Sequence, residues 1–191
     1  MDDRDAIEAL KRGETEGMDA LVVAYQPRAL SVAYQITRDS QAAEDVVADA
    51  FLAVFKQVGS QDPNRPFQPW FLRIVVNRAI SVTRRRSRFQ RVLGLLSRST
   101  EASDPVQVAE TNEETRAVRS ALDRLPVNER AALSLRYLED LDERSIAEIL
   151  GCPIGTVKTR LHRGRNHLRQ ELAKNRPGAD APALSFVGGS E

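Results

Sequence analysis

Between Asp5 and Arg88 the apolar positions recur three and four residues apart and nowhere alternate as a strand would, so this segment reads as a run of helices. After Asp39, residues Ala43, Val46, Val47, Ala50, Val54 and Val58 fall on one stripe, with Asp45, Asp49, Leu52 and Lys56 on the other side. From Phe67 onward a second stripe, Phe71, Leu72, Val75, Ala79 and Val82, lies opposite Trp70, Arg73, Asn77, Ser81, Arg84 and Arg88. Turn signals separate these runs. Gly13 and Gly17 punctuate the first helix, Asp39 can cap the next, and Gly59 to Pro66 is a polar loop with Pro66 and Pro69 near the start of a longer helix. From Phe89 to Asn112 the period fades while Gly94, Ser97, Ser99, Thr100, Ser103 and Pro105 accumulate, the composition of a linker. Helical pattern resumes at Glu113, breaks at Pro126, restarts near Asn128 and again at Asp142 and Gly155, and ends at Asn175. The expectation is an all-α chain of two small helical domains, 1–88 and 113–174, joined by a flexible linker at 89–112. A tail at 175–191 is expected to be disordered.

The second domain contains the sharpest local signal. Asp142 to Gly151 forms a short helix ending at a glycine, Cys152-Pro153-Ile154-Gly155 makes the turn, and Thr156 to Leu161 opens the next helix. This is helix-turn-helix spacing, with Ala147 small enough for close approach and Ile146, Leu150, Ile154, Val157 and Leu161 available for the shared core. At 3.6 residues per turn Val157, Leu161, Leu168 and Leu172 share a stripe, and Thr156, Thr159, Arg160, Arg163 and Asn166 lie opposite. Such a face, with Lys158 and His162 beside it, suits the major groove, where arginine can bridge two acceptors on guanine. His162 and His167 are read as DNA-facing or solvated rather than metal ligands, and Cys152 as an inert turn residue.

Charge distribution changes the picture more than net charge does. The 191 residues sum to only +1, yet Arg84 to Arg98 and Lys158 to Arg169 are both free of acids, and local patches of one sign are what a polyanion meets. Along the helix from Phe67, guanidinium groups, an aromatic ring and an amide share one face; this is either the set that single-stranded DNA asks for or a solvated face with Trp70 capping the core, and composition does not choose between them. One cysteine excludes an internal disulfide, and two histidines without a cysteine pair form no recognisable zinc set, so neither metal nor cofactor is expected. No apolar run is long enough to span a bilayer and the acidic start does not resemble a signal peptide, so a cytoplasmic location is expected, with no membrane insertion.

Taken in order, these motifs resemble the extracytoplasmic-function group of the sigma-70 superfamily. Ala43-Glu44-Asp45-Val46-Val47 with Ala50-Phe51 is similar to the polymerase-clamp-binding helix of region two, and Phe67 to Ala79 to the segment that melts and reads the -10 element. Leu125-Pro126, Arg130, Leu135-Arg136-Tyr137, Ile146-Ala147, Leu150-Gly151 and Gly155 to Leu161 are similar to region four, which reads the -35 element and touches the polymerase flap.

The resemblance implies contacts to core RNA polymerase through Asp45, Asp49 and Leu52. It implies capture of the opened -10 strand through Asn64, Arg65, Trp70, Arg73, Asn77, Arg84, Arg85 and Arg88. It further implies -35 duplex contacts through Thr156, Lys158, Thr159, Arg160, His162, Arg163 and Asn166, and an anti-sigma partner. No catalysis is implied. Two departures stand out: Ala48-Asp49 where the family usually has Gln-Glu, and the loop Pro63-Asn64-Arg65-Pro66, which leaves the preferred flipped base open. An autonomous helix-turn-helix regulator and a sigma-like decoy are the alternatives. The first would need a dimer interface for which the chain has no spare apolar helix, and intact Trp70, Asn77, Lys158 and Arg163 argue against the second. The tail residues Ala183, Leu184, Phe186 and Val187 could serve as a regulatory handle, with disorder the preferred reading.

Overall fold

The computed structural model describes residues 1–62, 65–96 and 113–175, and every regular element among them is helical. The first unit comprises α1 (Asp3–Lys11), α2 (Glu16–Thr37), α3 (Ser40–Gln57), a 3₁₀ turn (Val58–Ser60) and α4 (Phe67–Leu96). The second comprises α5 (Glu113–Asp123), α6 (Val127–Tyr137), α7 (Glu143–Leu150) and α8 (Ile154–Asn175). The expected regulatory handle, Ala183 to Val187, lies outside the described residues.

Local chemistry explains where the helices begin and end. Asp2, Asp39 and Asp142 each sit in extended backbone and accept a hydrogen bond from a first-turn N–H, of Asp5, Ala42 and Ser145 at 2.8, 2.9 and 2.7 Å. Gly151 ends α7 at φ +60°, where a side chain would be strained. Pro126 does more than break a helix: it is the N-cap residue of α6, whose first turn holds Asn128. Gly17, expected to interrupt a helix, lies inside α2. A Cβ there would sit 2.3 Å from the Ala6 carbonyl oxygen, so the residue permits close crossing with α1 rather than a turn.

The α3 stripe is buried as expected, and so are Phe71, Leu72, Val75 and Ala79 on α4. Val82 is not; it is 39% exposed, although its neighbour Thr83 still donates to the Ile36 carbonyl of α2. α4 continues to Leu96, so the first eight residues of the expected linker, 89–96, are helical. Phe67 and Phe71 stack with centroids 5.4 Å apart, and Tyr25 and Phe51 close on them at 4.9 and 4.7 Å. Burying each of these two phenylalanines contributes about 1.5–3 kcal/mol. Burial and a hydrogen bond to Asp3 push the Tyr25 phenol pKa up, so it stays protonated and ties α1 to α2.

The two units also pack on each other. α2 and α4 touch α6, α4 touches α7, and one apolar core runs from Ile7 and Phe71 to Ile146 and Leu161.

Candidate nucleic-acid interface

The recognition helix is set by the turn that precedes it. With Gly151 left-handed, the Cys152 N–H reaches back to the Ala147 carbonyl at 3.1 Å and α8 starts three residues later. Val157 and Leu161 are buried against the neighbouring helices, and Gly164 lets α8 approach α6, since a Cβ there would meet Leu133 Cδ1 at 3.0 Å.

That packing turns Lys158, Thr159, His162 and Arg163 outward as an exposed row. Lys158 Nζ lies 3.6 Å from Glu143, and Thr159 donates to the Gly155 carbonyl at 2.9 Å. Thr156 is half-buried. Arg160 is half-buried too and bends back to donate to Cys152 Sγ at 3.4 Å, an interaction that helical projection does not reveal. Asn166 is engaged by His162 at 3.0 Å and by Arg169 at 2.8 Å. His167 is part-exposed, and its Nδ1 also lies 2.7 Å from the carboxylate of buried Glu129, which joins α8 to α6. The Asp142 carboxyl, hydrogen-bonded by Ser145, is held below the usual carboxylate range, so the cap on α7 stays charged at neutral pH.

On α4, Arg73, Asn77, Arg85 and Arg88 are exposed along one flank. Trp70 is half-buried, its ring edge-on to Phe67 at 5.7 Å, so it is at once a core-capping group and a surface one. Arg65 is exposed and lies 3.9 Å from Asp62; Asn64 falls outside the described residues. Arg84 donates to Asn128 of the second unit at 3.1 Å. Asn77, Ser81, Arg84, Arg88 and Arg91 form one wall of a cleft of about 750 Å³ whose other wall is Leu125, Pro126, Val127 and Arg130.

A third surface lies on α3. Asp45 and Leu52 are exposed, and Asp49 pairs with Arg78 of α4 at 2.9 Å. Sequence projection missed Phe55, which is 57% exposed, as is Leu52 one turn before it. The signal was present: Phe55 falls off the α3 core stripe, three residues from Leu52. A candidate metal site is absent among the described residues.

Two helical units, one with a basic helix-turn-helix and one with an aromatic and arginine-bearing helix, define a class of multi-element DNA-reading factor. Residues 21–89 match the Sigma-70 region 2 family and residues 115–168 match Sigma-70, region 4. The ECF RNA polymerase sigma factor SigW of Bacillus subtilis is 30% identical over 87% of this chain and 94% of its own length. The ECF RNA polymerase sigma factor SigE of Mycolicibacterium smegmatis is 33% identical over 82% of this chain and 62% of its own. Among solved structures, CnrH in complex with the cytosolic domain of CnrY covers 91% of this chain and 99% of its own, with a TM-score of 0.68 at 24% identity. The sigma factor RpoE bound to the anti-sigma factor NepR from Bartonella quintana covers 83% and 98%, with a TM-score of 0.65 at 25% identity. The chain belongs to the extracytoplasmic-function group of RNA polymerase sigma factors. It is accordingly a transcription-initiation factor and not an enzyme.

Proposed function

We propose that the two units divide promoter recognition between them: 113–174 reads the -35 duplex and 1–88 binds the polymerase clamp and holds the opened -10 strand. The observation that carries this reading is the exposed row Lys158, Thr159, His162 and Arg163 at the N-terminal half of a helix-turn-helix recognition helix. In the duplex, Arg163 and Lys158 meet base edges or phosphates, with Thr156, Thr159, Arg160 and Asn166 shaping the contact. On the opened strand, Arg73, Arg84, Arg85 and Arg88 meet phosphates, and Trp70, Asn77 and the loop with Asn64 and Arg65 meet an unstacked base, offsetting an unstacking cost of a few kcal/mol per step. Asp45, Asp49 and Leu52, joined by Phe55, supply the core-polymerase surface, and the second unit touches the flap.

An anti-sigma factor as inhibitory partner is supported by the sigma factor and anti-sigma factor complex among the similar structures. Action on polymerase places the chain in the cytoplasm, and no helix among the described residues is long and apolar enough to cross a membrane.

Run-off transcription with purified core polymerase on a promoter library tests the proposal. Transcripts that depend on the chain and share two spaced elements are expected. Specific duplex binding without core-dependent transcripts would instead identify an autonomous regulator.

A further inference from the structure

We propose that the segment Ala183 to Val187 folds back onto its own second unit and seats Leu184 and Phe186 in an apolar hollow between α5, α6 and α8. The docking needs neither DNA nor polymerase, so it stands apart from the division of labour proposed above.

The hollow begins where the core stripe of α8 loses its partners. Val157 and Leu161 on that stripe are buried, whereas Leu168 and Leu172, two and three turns further along, are only half-buried. Across from them Val118 of α5 is 40% exposed, and Tyr137 and Leu138 at the end of α6 are each 43% exposed. Among the described residues these side chains leave a hollow of about 340 Å³, the size of a small-ligand site. Single exposed apolar side chains are ordinary on a protein surface, but a contiguous apolar hollow shared by three helices is not. Every residue lining it except Gln35 of α2 belongs to the second unit, so the hollow is that unit's own.

The chain that follows α8 matches this hollow chemically. Between residues 177 and 187 the one charged residue is Asp180, and the one charged side chain lining the hollow is Arg165. Ala183-Leu184-Ser185-Phe186-Val187 is the apolar cluster of that stretch, and Phe186 is the first aromatic residue after Tyr137. So short a cluster cannot bury its side chains against one another and needs a surface made elsewhere. The linker entering the unit at α5 is a poorer match, because its Val106 and Val108 lie among Glu101, Asp104 and Glu110 and it has no aromatic ring.

Reach favours the same occupant. Leu172 stands three residues before the end of α8, and from there back to Arg165 the helix runs about 10 Å at 1.5 Å per residue. Pro177-Gly178, a turn dipeptide, falls directly after the helix, where the chain has to reverse. Leu184 is nine residues beyond Asn175. A stretch of that length extends to about 30 Å and averages roughly 17 Å as a random chain, so the cluster reaches the hollow without strain.

A tether this short gives an effective concentration on the order of millimolar. At about 3 mM, a contact with an intrinsic Kd of about 0.3 mM is seated roughly ten times as often as it is free. Any apolar segment of another protein that uses this face then binds roughly tenfold more weakly than it would on an open hollow, since it must displace the tail. The tail is thus a built-in competitor for the partners of the second unit.

The test uses the full chain with Trp70→Phe and Phe186→Trp, which leaves one tryptophan, in the tail. A synthetic peptide of residues 176–191 with the same tryptophan is the undocked reference. Acrylamide quenching of the chain is expected to be about fivefold weaker than that of the peptide, with emission shifted to shorter wavelength. Val118→Asp, at an exposed position of α5, and Leu184→Asp, in the tail, should each restore the quenching seen in the peptide with the thermal midpoint unchanged. Leu184→Asp alters none of the helices, so unfolding cannot account for its effect. Quenching of the parent chain equal to that of the peptide would overturn the docking. Protection that survives Val118→Asp would overturn the hollow as its seat, and protection lost on serial dilution would assign the contact to a second copy and overturn return within one chain. Failure in run-off transcription would count against the initiation reading alone, because the tryptophan signal needs no polymerase.

Discussion

The guanidinium of Arg130 and the carbonyl oxygen of Ile36, 94 residues apart in the chain, are joined by two hydrogen bonds of 3.1 and 2.7 Å. Burial pushes the Arg130 pKa down to about 10, still far enough above neutrality that the group stays charged where it is needed. Replacing it with Met should therefore leave the carbonyls of Ile36, Leu122, Asp123 and Leu125 without this donor and cost roughly 3 kcal/mol. Urea unfolding of the full chain measures this, and Arg130→Lys should recover only part of the loss, because an ammonium cannot reach two helix ends as a planar fork does.

Gly17 gives a steric prediction. Because a Cβ at this position would lie 2.3 Å from the Ala6 carbonyl, Gly17→Ala should push α1 off α2 and cost about 1–3 kcal/mol. Gly59→Ala, where nothing lies within 4 Å, should have a far smaller effect on the thermal midpoint.

Asp39 gives a pH dependence with a definite sign. Its carboxylate caps α3 through the Ala42 N–H and pairs with Arg86, and these hold its pKa below the ordinary value despite partial burial. A carboxyl depressed on folding adds stability that is fully present above its unfolded pKa and is lost as pH falls through the folded value. Asp39→Asn should keep the cap but flatten the acid side of the stability profile, whereas Asp39→Ala should lose about 1 kcal/mol at neutral pH as well. Thermal midpoints between pH 7 and pH 2 distinguish the two.

Arg163 and Lys158 should behave differently on DNA. If Arg163 reads a base edge, Arg163→Ala should cost about 1–3 kcal/mol and relax preference at one position of the -35 element. Lys158→Ala should weaken all sequences alike and lower the slope of log affinity against log salt by about 0.9. Holoenzyme binding to a set of single-base promoter variants at several salt concentrations measures both effects.

On α3, Leu52→Asp or Phe55→Asp should abolish core-polymerase binding with little change in thermal midpoint, because both side chains are 57% exposed and leave the core intact. Retained core binding in both variants would remove this face from the polymerase surface.

The primary structure by itself determined the helical units and most of their boundaries. Those features depend on short-range causes: the 3.6-residue period, capping aspartates at 39 and 142, and a left-handed glycine at 151. Tertiary structure alone decided how the side chains are used. Helical projection places Arg160 beside Arg163, but packing against Cys152 turns Arg160 inward, and nothing local foretells that His167 meets Glu129, 38 residues earlier. The same holds for the union of the two units. Arg130 meets Ile36, Arg38 meets Asp123 and Gln68 meets Glu139 through contacts spanning 71 to 94 residues, and no local period encodes which distant carbonyl or carboxylate a cation will find.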